Sequence, residues 1–213
     1  MTNKTSIAQK LLSIQAVSLK PTEPFTWSSG MKSPIYCDNR LTLSYPAVRK
    51  EVAQGLADLI QTNYPEVEVI AGTATAGIPH AAWVSELLDL PMIYVRGSAK
   101  GHGKQKRIEG KLEVGQKVVV IEDLISTGGS SLSAVEAIRE DEGDVLGVAA
   151  IFTYELKKAD GRLAAENVTA HVLTDYTTLI QTAKDLEVIS ENEQAMLKAW
   201  RDDPESEAWM EVE

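Results

Sequence analysis

Val118-Val-Val-Ile-Glu-Asp-Leu-Ile-Ser-Thr-Gly-Gly-Ser-Ser131 is the stretch whose reading decides the rest of the chain. Four β-branched residues run straight into two adjacent carboxylates, Glu122 and Asp123. So unbroken an apolar run fits a strand buried on both faces of a parallel sheet, since a half-solvated strand would alternate polar and apolar. The acids are then expected at the strand's carboxyl end. Ser126-Thr127-Gly128-Gly129-Ser130 follows as a small, hydroxyl-rich turn, and Leu132, Val135 and Ile138 recur at helical spacing as far as Arg139. The order is strand, loop, helix.

A glycine-rich loop at a helix start suits an anion, because the backbone can approach closely and the free amides of the first turn point at the ligand. Phosphate is the favoured anion. Two carboxylates would repel it unless they were turned toward something else, such as sugar hydroxyls or a metal ion, and a sugar phosphate offers both kinds of group. No Gly-x-x-x-x-Gly-Lys-Ser/Thr occurs; the nearest approach is Gly72 to Gly77, where Ile78 stands in the lysine's place. A Gly-x-Gly-x-x-Gly opening a βαβ unit is also missing, so a dinucleotide site lacks its fingerprint.

An apolar strand, Glu122-Asp123, then Ser/Thr-Gly-Gly resembles the phosphoribosyl diphosphate signature of the type I phosphoribosyltransferases. That resemblance implies an α/β, parallel-sheet fold with a small N-terminal hood and a flexible lid loop.

The 213 residues suit a single domain with a small appendage. No apolar run approaches the roughly 18 residues of a membrane span, and the amphipathic start is unlike a signal peptide. One cysteine, Cys37, leaves no internal disulfide, and a cytoplasmic location is expected. A net charge of −10 argues against a nucleic-acid partner. With three histidines and neither His-Glu-x-x-His nor Cys-x-x-Cys, a dedicated zinc site is not expected. Any metal should be Mg²⁺ arriving with a phosphate ligand.

Along the chain, Ser6 to Val17 reads as a helix with Ser6 and Gln9 spaced as a capping box. Pro21 to Arg40, dense in turn formers and aromatics, reads as a covering flap with two short strands, so that residues 1–45 contribute a hood. Helices are expected at Ala47–Thr62 and Ile78–Leu88, and strands at Val67–Ala71, Met92–Arg96, 117–122, Val145–Tyr154 and Val168–Leu173, parallel and joined by right-handed crossovers. Two further helices, Asp175–Glu187 and Glu191–Arg201, precede a frayed acidic tail over 202–213; Ser190 and Glu193 form a capping box for the second, and Trp209 and Met210 hint at packing. His80 and His171 read as structural, and the tryptophans as core or interface. Ligands should lie outside the carboxyl ends of the strands.

Gly97 to Lys111 carries five basic residues against one acid, on a chain whose overall charge is negative. Four glycines with that charge suit a lid closing over a polyanion and excluding water. Arg96, Ala99-Lys100-Gly101-His102-Gly103 and Ile108-Glu109-Gly110 resemble the flexible loop of orotate phosphoribosyltransferases, and Phe25 to Tyr36 resembles their orotate-covering segment.

The family's reaction transfers ribose 5-phosphate from phosphoribosyl diphosphate to orotate through an oxocarbenium-like state, with Mg²⁺ held mainly by substrate. It runs on a homodimer whose lid reaches the neighbouring site. Carried over, the resemblance makes Lys100, His102 and Asp123 catalytic. It assigns phosphoribosyl diphosphate to Arg96, Lys100, His102, Glu122, Asp123, Leu124, Ile125, Ser126, Thr127, Gly128, Gly129 and Ser130. Glu122 and Asp123 would hold the ribose hydroxyls and Ser126–Ser130 the 5′-phosphate; Ser126 and Tyr36 would lie near orotate, although an aromatic at 36 also suits flap core. Against the family pattern that the resemblance implies, Gly97, Ser28 and Ala76 stand at basic positions, and Lys104, Lys106 and Arg40 are the candidates to replace them. A purine phosphoribosyltransferase, disfavoured by the flap around Trp27–Tyr36, and a non-catalytic phosphoribosyl diphosphate sensor are the other readings.

Overall fold

The computed structural model describes residues 3–27, 30–97 and 107–212. The chain runs α1 (Lys4–Ser13), β1 (Val17–Leu19), β2 (Phe25–Thr26), β3 (Lys32–Ser33), β4 (Ile35–Cys37), a 3₁₀ turn at Asn39–Ser44, α2 (Pro46–Asn63), β5 (Val69–Thr73), α3 (Gly77–Leu88), β6 (Met92–Val95) and β7 (Ile108–Glu109). It continues with β8 (Lys117–Ile125), α4 (Gly129–Glu140), β9 (Asp144–Thr153), α5 (Lys157–Ala165), β10 (Ala170–Asp175), α6 (Tyr176–Asp185), α7 (Glu191–Asp202) and a last 3₁₀ turn at Ala208–Glu211.

Six strands form one sheet in the order β10-β9-β8-β5-β6-β7. All neighbours are parallel except β6 and β7. The unbroken apolar run of β8 has a direct cause. Successive side chains of a strand point to opposite faces, and both faces are covered. Val119 and Ile121 join the cluster built with α1, α2, α3, α6 and α7, while Val118 and Val120 join the one built with α4 and α5.

Several boundaries differ from expectation. The first helix starts earlier, because Asn3 rather than Ser6 caps it, accepting from the Thr5 amide at 3.1 Å. Ser6 Oγ instead donates to Glu51 at 3.0 Å, and exposed Gln9 is no capping partner. The helix stops at Ser13, which frees Val17 to pair with Cys37. Val67 belongs to the turn after α2, where its amide donates to Tyr64 O, so β5 begins at Val69. Val168 likewise closes the end of α5, its amide donating to Leu163 O, and β10 begins at Ala170. Asp175 ends that strand as the cap of α6, accepting from the Thr178 amide at 2.8 Å and pairing with Lys4 at 2.6 Å. Two-residue β7, antiparallel at the sheet edge, departs from the expected all-parallel sheet and was hidden in the basic loop. The Ser190–Glu193 capping box is present.

The hood consists of two antiparallel pairs, β1 with β4 and β2 with β3. Aromatic packing pins it to the C-terminal region. Trp27 stacks on Tyr154 at 5.9 Å and meets Trp200 edge-on at 6.0 Å, while Trp200 Nε1 donates to Lys32 O at 3.2 Å. The tail does not fray as expected, since Trp209 is 2% exposed within the core cluster. His80 is buried edge-on to Trp83, and His171 lies edge-on to Tyr64, both in packing roles. Among the described residues, no helix is long and apolar enough to cross a membrane.

Candidate active site

The strand carrying the acids does not end at them. β8 continues to Ile125, with Glu122 opposite Ala150 and Leu124 opposite Phe152. Strand alternation therefore sends the two carboxylates to opposite faces of the sheet.

Glu122 follows Val118 and Val120 onto the α4 face and is 4% exposed. Its Oε1 accepts from Thr73 Oγ1 at 2.8 Å and from the Asp123 amide at 3.1 Å. Its Oε2 accepts from Ser130 Oγ at 2.7 Å and Ser131 Oγ at 3.2 Å. Both oxygens are thus engaged by β5 and by the first turn of α4. Asp123 takes the other face, where Asn39 Nδ2 donates to its carbonyl at 2.7 Å. Burial chiefly, and the like charge of Glu122 second, push its carboxyl up to about 7. Asp123 also helps to raise the nearby Cys37 thiol well above its ordinary value, burial being the larger cause. Cys37 is therefore a neutral wall of this face rather than a nucleophile.

The Ser126–Ser130 turn delivers the start of α4, whose cap Gly128 has φ +77 and whose first turn has no side-chain cap. Only glycine adopts that φ without strain. An uncapped helix start of this kind presents free amides to an anion. Arg162 braces the turn from α5, donating to Thr127 O at 3.3 Å.

Gly72–Gly77 forms the neighbouring loop, with a cis Ala74–Thr75 peptide. Gly77 is required by packing: a Cβ there would stand 2.5 Å from Ile121 O and 2.5 Å from Thr73 Oγ1. This contact seats α3 directly against β8.

At the far side, β6 and β7 pair Val95 with Ile108, so Arg96 and Arg107 meet at the base of the basic loop. The Arg96 amide donates to Arg107 O at 2.8 Å, and Arg107 Nε donates back to Arg96 O at 3.1 Å. Arg107 Nη2 also donates to Ser133 Oγ on α4 at 2.8 Å. Arg96 stands 3.6 Å from the Glu109 carboxylate. A cleft of about 160 Å³ opens between these arginines, Thr73-Ala74 and Ser130.

The structure thus gathers Arg96, Glu122, Asp123 and Ser126–Ser130 along the carboxyl edge of the sheet. Tyr36 is 46% exposed on the hood, against Phe25 at 5.7 Å, and Arg40 is tied to Asp38 at 2.6 Å. Lys100, His102, Lys104, Lys106 and Ser28 lie outside the described residues. Thr73, Asn39 and Arg107 join the site through contacts that only the fold supplies. Thr73 and Asn39 carry no motif, and Arg107 was counted only as part of the loop's charge.

The profile of the phosphoribosyl transferase domain matches residues 43–183. Orotate phosphoribosyltransferase of Bacillus caldolyticus is 64% identical over 202 residues, 95% of this chain and 98% of that protein. Among solved structures, orotate phosphoribosyltransferase from Aeropyrum pernix superposes with a TM-score of 0.74 at 26% identity, covering 86% of this chain and 99% of that one. UMP synthase of Leishmania donovani gives 0.80 at 26% identity, covering 93% of this chain but 42% of the longer protein.

Proposed function

From the premise that this chain belongs to the orotate phosphoribosyltransferases of the phosphoribosyltransferase family, we propose how its residues divide the work of that reaction. The activity is transfer of ribose 5-phosphate from phosphoribosyl diphosphate to orotate, giving orotidine 5′-phosphate and diphosphate, a step of pyrimidine biosynthesis.

The observation that carries the proposal is the junction of β8 with α4, where Asp123 on the hood face of the strand end and the uncapped start of α4 both fall at the carboxyl edge of the sheet. The amides of Gly129 and Ser130 hold the 5′-phosphate, with Ser126 and Thr127 closing round it. Asp123 is the carboxylate offered to the ribose hydroxyls, and its charge favours the positive charge that grows on the ring as diphosphate leaves. Glu122, through its bonds to Thr73, Ser130 and Ser131, holds the phosphate turn against the diphosphate side of the site. Leu124 and Ile125 carry the backbone between the two.

Lys100 and His102 stabilise the departing diphosphate together with Arg96. Mg²⁺, when bound, would neutralise charge on the diphosphate and would be held mainly by substrate oxygens. Hard oxygen donors suit that ion, and among the described residues no cluster of protein ligands stands ready for it, so any protein contact would be the single carboxylate of Asp123. Orotate sits under the hood, near Ser126 and Tyr36. The chain works as a cytoplasmic homodimer with the basic loop shared between subunits, and its whole length serves one phosphoribosyltransferase unit.

The test is direct. With Mg²⁺ and phosphoribosyl diphosphate, orotate should be consumed and purine bases should not, as followed by absorbance. Lys100→Ala should lose most of kcat while melting as wild type; near-normal turnover would remove that lysine from the mechanism.

A further inference from the structure

The family resemblance sets the Gly72–Gly77 loop beside the leaving diphosphate, and that loop is chemically bare. Thr73-Ala74-Thr75-Ala76-Gly77 carries no positive charge, yet diphosphate is a polyanion that departs with more charge than it held as an ester. Cations must reach that cleft from elsewhere. Of the two arginines at its rim, Arg96 has part of its charge offset by Glu109 at 3.6 Å.

Arg107 is placed differently. The acceptors described for its guanidinium, Arg96 O and Ser133 Oγ, are both uncharged. They take two of the five N–H groups that a guanidinium carries. Among the described residues the rest of the fork meets no other acceptor at the rim of the cleft, on a side chain fixed at both ends. Its backbone is set by the β6–β7 pairing, and its tip by the second turn of α4. A rigid, half-buried guanidinium with unspent donors suits bidentate recognition of phosphate oxygens at little entropic cost.

We infer that Arg107 is a further substrate-binding residue, the fixed cation on the diphosphate side of the site. It binds phosphoribosyl diphosphate before transfer and inorganic diphosphate after it. This rests on the function proposed above and adds to the family resemblance, which assigned no role to position 107. It also explains how a site without basic residues at Ala76 and Gly97 holds its leaving group.

The experiment compares Arg107→Gln, Arg107→Lys and Ser133→Ala in the full-length enzyme. The readouts are KM for phosphoribosyl diphosphate, inhibition by inorganic diphosphate, KM for orotate and melting temperature. Arg107→Gln should weaken both diphosphate-dependent constants roughly tenfold to a hundredfold, the range of a charge-assisted hydrogen bond, without moving orotate KM or the melt. Arg107→Lys should recover part of that loss, because charge returns without the fork. Ser133→Ala removes the tether but not the charge and should weaken inhibition by diphosphate only a few-fold, well short of the loss in Arg107→Gln. The inference is overturned if Arg107→Gln binds diphosphate as wild type, or if Ser133→Ala reproduces its loss, since Arg107 would then only fasten the loop base. A wild-type enzyme that ignores both orotate and diphosphate would instead sink the functional reading itself.

Discussion

Replacing Glu122 by Gln keeps the shape of a buried side chain and removes its charge, so the cost can be worked from its four partners. Hydrogen bonds to a charged group contribute about 1.5–3 kcal/mol, against about 0.5–1.5 for neutral pairs. One amide oxygen can still receive Thr73 Oγ1 and the Asp123 amide. The new NH₂ then faces Ser130 and Ser131, whose hydroxyls can rotate to accept. The loss is the charge assistance, offset in part by relief of the repulsion with Asp123, and it comes to about 1–3 kcal/mol. For a domain of this size each kcal/mol lowers the melting temperature by roughly 2–4 °C. Glu122→Ala should cost more, though Thr73 Oγ1 keeps a second acceptor in Ile121 O at 2.9 Å. Calorimetry measures both variants. Because a like charge beside Asp123 is gone, the acid limb of kcat/KM for phosphoribosyl diphosphate should also move to lower pH. A Glu122→Gln enzyme that melts as wild type but shows a raised KM for phosphoribosyl diphosphate would refute this reasoning. Its carboxylate would then face substrate rather than hold the loop.

Other expectations follow from single contacts. Gly77→Ala places a Cβ against the backbone of Ile121 and should cost about 1–3 kcal/mol, with lost turnover as α3 is pushed off β8; an unchanged denaturant midpoint would contradict it. Trp200→Ala empties a fully buried site and should cost about 3–5 kcal/mol, and any activity that survives should show a raised orotate KM because the hood loses its anchor. Burial lowers the His80 pKa to about 4, so its contribution is complete above pH 6.5 and is lost as pH falls through about 4, up to about 3 kcal/mol. Asp123 has the opposite sign: with its pKa raised to about 7, its contribution is complete below pH 3.8 and is lost as pH rises through about 7, so the two partly cancel between these limits. Urea melts of wild type and His80→Leu at pH 7.5 and 4.5 isolate the histidine, and the variant should lose less on acidification.

The sheet was legible because burial on both faces leaves a mark that few other arrangements leave. Val118–Ile121 could alternate between two cores only if each position were apolar. The turn proposed to take the phosphate was legible for a similar reason, since Gly128 at φ +77 and hydroxyl-bearing neighbours follow from the turn itself. What escaped was long-range. That Asn3 rather than Ser6 caps α1 depends on Glu51 drawing the serine away. Thr73 belongs to the site because Glu122 lies across from it, 49 positions along the chain. The packed tail depended on which core Trp209 would find.

Reading Glu122-Asp123 as a pair of like function treats sequence neighbours as spatial neighbours, and in an extended strand they are not. The structure extends β8 through both residues, so the period of two continues to operate on them. One acid follows Val118 and Val120 toward α4 and is bonded by two of its serines; the other follows Val119 and Ile121 toward the hood, beside Asn39 and Cys37. Had the strand ended at Ile121, both carboxylates could have turned to the same ligand. Because it does not, the motif needs two adjacent acids for two different reasons. One locks the start of α4 to the sheet. The other, raised in pKa by burial and by its neighbour's charge, is the one proposed to meet the sugar.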